Sequence, residues 1–111
     1  MLRFLTVGVL TGLIASAALA GPNVQQIVTP EDYPEAALEM NAQGTVFFRL
    51  TIGADGVVKD CQVTKSSGYS ILDTTTCRLI MRHKLRFTPT VDQNGHAVEF
   101  THDDHVDWSL H

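Results

Sequence analysis

Apolar and polar residues alternate without a break from Thr45 to Ile52. Val46, Phe48, Leu50 and Ile52 fall on one side, and Thr45, Phe47, Arg49 and Thr51 on the other. That period of two is the signature of a strand with one buried face. Gly53-Ala54-Asp55-Gly56 then reverses the chain, because Asp-Gly supplies the positive φ a tight hairpin requires. Val57 to Thr64 carries enough β-branched residues to return as a second strand. On it Val57, Cys61 and Val63 share one face, and Val58, Asp60, Gln62 and Thr64 the other. The two strands predict an antiparallel hairpin with one apolar face, ended by Ser66-Ser67-Gly68.

The period changes on either side of this hairpin. From Ile71 to about Lys84 the apolar residues Ile71, Leu72, Leu79 and Ile80 form a loose helical stripe, weakened by Thr75 and Thr76. Ser70 stands three residues before Asp73, a helix-start pattern. Arg78, Arg82, His83, Lys84 and Arg86 gather at the far end, where the helix dipole favours positive charge. A shorter helix is expected from about Tyr33 to Asn41. There Pro34 suits the first turn, Ala36, Ala37, Leu38 and Met40 are good helix formers, and Gly44 closes the element. After Pro89 and the Asn94-Gly95 turn, a last strand runs from His96 to Leu110. Val98, Phe100, Val106, Trp108 and Leu110 share one parity on it, and His102 and Asp104 interrupt that parity. The fold class is therefore α+β: a three-stranded antiparallel sheet with two helices packed on one face, in the order α-β-β-α-β.

The first 20 residues read differently. Arg3 is a short basic region, Phe4 to Ile14 is mostly apolar, and Ala18-Leu19-Ala20 is a cleavage signal before Gly21. Residues 1–20 are expected to be a signal peptide, the alternative being an uncleaved inner-membrane anchor; either sends the rest to the periplasm. Residues 21–32, with Pro22 and Pro30, read as an extended lead-in reaching at most about 40 Å. Residues 33–111 form one small domain.

Composition narrows the chemistry. The net charge is −4, and a mildly acidic domain argues against nucleic-acid partners. Two cysteines in an exported domain of this size imply one disulfide, Cys61 to Cys77. Closing a loop of about 15 residues stabilises a small domain, and nothing marks either thiol as reactive. His102, Asp104 and His105 could ligate a transition metal. On a strand, however, His102 and Asp104 point one way, and Asp103, His105 and Asp107 the other, which suits a polar edge strand at least as well. Ser66, Ser67 and the five histidines have no spacing that assigns a nucleophile and base. No enzyme activity and no cofactor are expected.

The combined pattern resembles a known family. Tyr33-Pro34 with Ala36 and Ala37, Gly44-Thr45-Val46, Asp55-Gly56-Val57, Ser66-Ser67-Gly68, Leu72-Asp73, Phe87-Thr88-Pro89, Gly95 and the closing apolar strand occur in the order of the TonB family C-terminal domain. The resemblance covers nearly all of the chain after the signal segment. It implies a periplasmic domain, associated with TonB-type transmembrane transport, that binds a short extended peptide, the TonB box of an outer-membrane receptor. Such a peptide adds as a strand beside the last strand. Val98, Phe100, Val106 and Trp108 are the implied partner-binding residues, with Tyr33 and Pro34 as a further part of that surface. With four prolines and a short lead-in, the expectation is a standalone peptide-binding domain rather than a complete energy transducer. The rival functions are a periplasmic metal-binding protein using the His/Asp-rich last strand, and weak homodimerisation through the sheet edge.

Overall fold

The strand Gly44–Ile52 (β1) lies at the centre of a three-stranded sheet in the computed structural model, which describes residues 21–110. The expected signal peptide and His111 lie outside the described residues. The hairpin partner is Val58–Lys65 (β2), and the other neighbour is the last strand, Phe100–Trp108 (β5). The order β2-β1-β5 is antiparallel throughout. A short helix, Glu35–Glu39 (α1), precedes β1, and a longer one, Ser70–His83 (α2), follows β2. Thr90–Val91 (β3) and Ala97–Val98 (β4) form a separate two-stranded ribbon. The expected α+β sheet-and-helix architecture is the observed one.

The alternation along β1 translates directly into burial. Val46, Phe48, Leu50 and Ile52 are fully buried and meet Leu72, Leu79 and Ile80 of α2, Ala37 of α1, and Val106 and Trp108 of β5. Gly56, at φ +83°, turns the hairpin, and a Cβ there would collide with the Phe87 carbonyl oxygen. The Gly56 carbonyl also accepts the Phe87 amide at 2.7 Å. The turn therefore serves as the seat for the chain leaving α2.

Several local expectations need correction. Val58 is buried and lies on the same face of β2 as Cys61 and Val63, not opposite them. Ile52 pairs with Val58 and Thr51 with Asp60, so Lys59 is the extra residue of a bulge that flips the face of Val58. Val57 instead bridges to Arg86. The first helix starts at Glu35 because Tyr33 precedes Pro34 and stays extended, at ψ 120°. It ends at Glu39, and Asn41, at φ +54°, turns the chain away from the helix axis, leaving Gly44 to open β1. A Cβ at Gly44 would meet the Ser67 carbonyl oxygen at 2.7 Å. Asp73 does not pair with Ser70. It accepts from the Ser67 amide at 2.9 Å, the Ser67 hydroxyl at 2.8 Å and the Ser66 hydroxyl, tying the β2–α2 loop to the first turn of α2. The last strand is broken at Glu99. Asp92 Oδ1 accepts the amides of Asn94 and His96, both at 2.9 Å, so β3 and β4 fold as their own hairpin and Val98 leaves the main sheet. The lead-in is not extended throughout: Val24–Ile27 and Pro30–Asp32 are 3-10 turns, and Val24 is buried in the core.

Cys61 on β2 and Cys77 on α2 are joined, with Cα atoms 5.6 Å apart and sulfurs at 2.11 Å. The stripe-weakening residues Thr75 and Thr76 are both buried. Thr76 Oγ1 donates to the Leu72 carbonyl at 2.8 Å and accepts from Trp108 Nε1 at 2.8 Å. One hydroxyl thus links helix to sheet, and among the described residues no buried side-chain nitrogen or oxygen lacks a partner.

The Asp73 carboxyl has a clear pH signature. Partial burial raises its pKa, but the bonds from the Ser66 hydroxyl and from the Ser67 amide and hydroxyl outweigh this and hold it below the usual carboxylate range. A depressed folded pKa contributes stability that is fully present above the unfolded value, near 4, and lost as pH falls through the folded value. Below about pH 4 the wild type should lose stability more steeply than Asp73→Asn. Urea midpoints measured against pH will show parallel acid limbs for the two proteins if these bonds contribute nothing.

Candidate partner-binding edge

β5 borders the sheet on one side and pairs with β1 over nine consecutive residues without a register shift, from Phe100 opposite Ile52 to Trp108 opposite Gly44. In an antiparallel ladder alternate residues turn their amide and carbonyl away from the neighbour. Asp107 shows which parity this is. Its amide donates to Gln25 Oε1 at 2.9 Å and its carbonyl accepts from Gln25 Nε2 at 3.3 Å, both outside the β1 ladder. Thr101, Asp103 and His105 have the same parity, so their backbone groups face the outer border. The His105 amide donates to Asp104 Oδ1 at 2.8 Å.

The two faces of β5 differ. On the solvent side Arg49 holds Asp103 with two bonds, 2.7 and 3.0 Å, and hydrogen bonding from that guanidinium lowers the Asp103 pKa. Thr45 Oγ1 donates to Asp107 Oδ1 at 2.7 Å, and the Phe47 and His105 rings lie 5.6 Å apart. On the core side Val106 and Trp108 are buried and Phe100 is half-buried. His102 and Asp104 occupy the middle of that side, with Nε2 to Oδ2 at 3.1 Å, and the His102 ring packs on Phe87 with centroids 5.0 Å apart. These two supply two converging metal donors. The His105 Nδ1 approaches Asp104 Oδ1 only to 3.8 Å from the opposite face. Among the described residues no group of three or more such side chains is placed to hold a metal ion.

The C-terminal end of β5 opens onto a cleft of about 410 Å³ whose walls include Gln25, Val28, Pro30, Tyr33, Leu38 and Leu110. Tyr33 stands edge-on to Trp108, at 5.2 Å and 90°, and its hydroxyl donates to the Ala42 carbonyl. The structure therefore brings Tyr33 and Trp108 together beside the edge. Phe100 and Val106 aim their side chains at the core, Pro34 is the cap of α1, and Val98 lies in the β3–β4 ribbon. Gln25 is the site residue that sequence reasoning missed. A glutamine followed by another, Gln26, in a polar lead-in carries no periodic or motif signal.

The opposite border of the sheet is built otherwise. β2 has irregularities at both ends of its ladder, between Phe47 and Phe48 and between Thr51 and Ile52 on the β1 side, and it carries Lys59, Asp60 and Lys65. Bulges are a usual device that makes an edge unreceptive, and β5 has none over its nine paired residues. Among the described residues no helix is long and apolar enough to cross a membrane.

Comparisons with known proteins place the fold and the family. The family described as Gram-negative bacterial TonB protein C-terminal matches residues 29–110. Among solved structures, the fold is similar to the NMR solution structure of the Helicobacter pylori TonB C-terminal domain, with a TM-score of 0.59 and 23% identity. That likeness covers 79% of this chain and 78% of that one. No curated protein matches in sequence. The matched span takes in every helix, every strand and nearly all of the edge just described, so this chain belongs to the TonB C-terminal domain family.

Proposed function

We propose that the outer border of β5 receives an extended segment of a periplasmic or outer-membrane partner as an added strand, in the service of TonB-type transport. The observation that carries this reading is the unbroken nine-residue register of an edge strand, set against a β2 border interrupted by bulges. Backbone groups of Thr101 and Asp103 supply sequence-independent rungs, and the Tyr33–Trp108 cleft supplies a place for one partner side chain. The domain works in the periplasm, after removal of residues 1–20 as a signal peptide; an oxidising compartment suits the Cys61–Cys77 bond.

A proline tests the edge without breaking the fold. The Thr101 amide faces outward, so Thr101→Pro removes no rung to β1. It should weaken binding of a nine-residue TonB-box peptide about tenfold or more, while changing the unfolding free energy by less than about 1 kcal/mol. Calorimetry and a urea melt on the same protein measure both. Unchanged affinity in a normally folded variant would remove β5 as the dock.

A further inference from the structure

We infer that Gln25 is a removable stop which sets how far a partner strand can run along β5; this rests on strand addition at that edge. The Gln25 carboxamide offers a donor and an acceptor to the carbonyl and amide of one residue, Asp107, at 3.3 and 2.9 Å. Those are the groups an added strand would use there. The carboxamide thus fills one rung with a side chain, at the end of β5 that opens on the Tyr33–Leu38–Leu110 cleft.

The stop is held in place rather than draped over the edge. Val24, its neighbour, is 1% exposed within the core, and the Asn23 side chain caps the turn by accepting the Gln25 amide at 3.1 Å. Gln25 itself is exposed, so its side chain can swing into water without uncovering apolar surface. A short partner that pairs only at Thr101 and Asp103 never meets it, the His105 amide being held by Asp104. A longer one must displace it to reach Asp107, and gains the cleft in return. Length discrimination is therefore built into the lead-in.

The test uses the protein beginning at Gly21, as wild type and as Gln25→Ala, with a four-residue TonB-box peptide and its nine-residue extension. Gln25→Ala should tighten the long peptide about fivefold and leave the short one unchanged. The Asp107 amide should exchange with deuterium about tenfold faster in the unliganded variant. Equal effects on both peptides, no effect on the long one, or unchanged Asp107 exchange would each overturn the stop. If neither peptide binds either protein, strand addition itself fails and the stop with it. In that case Asp107 exchange still reports separately whether the Gln25 contact forms in solution.

Discussion

Trp108→Ala is expected to lower the unfolding free energy by about 3–5 kcal/mol, a large share of what a domain of this size possesses. The indole fills the junction of three elements. It is buried among the core residues of β1 and α2, meets Tyr33 edge-on, and donates Nε1–H to Thr76. Removing it leaves a cavity and also strips Thr76 of its donor from the sheet. Trp108→Phe separates the two effects: most of the ring volume stays, the hydrogen bond goes, and the loss should be about 1–2 kcal/mol. Urea denaturation of both variants measures this. A loss below about 1 kcal/mol for the alanine would mean that neighbours close the gap and that Trp108 is not the anchor of β5.

Breaking the Cys61–Cys77 bond should cost about 3 kcal/mol, from the entropy returned to the unfolded chain when a loop of this length opens. The bond ties β2 to α2, the two elements on either side of the Ser66–Gly68 turn. The double substitution Cys61→Ala with Cys77→Ala should therefore shift the urea midpoint without altering the β1–β5 ladder. Amide exchange resolved by residue distinguishes a general loss from a local one. A midpoint matching the oxidised wild type would show that the Asp73 bonds to Ser66 and Ser67 already close that loop.

What could be read from the residues depended on whether each signal was local. β1 was fully legible, because a strand buried on one face needs only alternation. The two cysteines were legible through compartment and number, and their meeting follows once Cys61 faces the core and Cys77 lies on the flank of α2. Val58 was not, since a bulge places two residues against one and leaves no trace in the period. The α1 boundary was recoverable in principle from Pro34, whose constraint on Tyr33 outweighs the helical preference of the residues that follow. Thr76 looked like a flaw in an apolar stripe. It becomes a core residue only because Leu72 and Trp108 satisfy its hydroxyl, and the second of these partners is far away in the chain. The edge position of β5 came from family resemblance, and its blocked rung at Asp107 from neither pattern nor resemblance.

The irregular ladder of β2 reaches beyond this border of the sheet. If two copies meet through β5, the pair is isologous and each copy covers the edge proposed for the partner strand. The margins then left outside are both interrupted by bulges, which oppose further strand pairing. Self-association through this sheet is therefore expected to stop at two subunits rather than grow into filaments, which sedimentation at rising concentration measures.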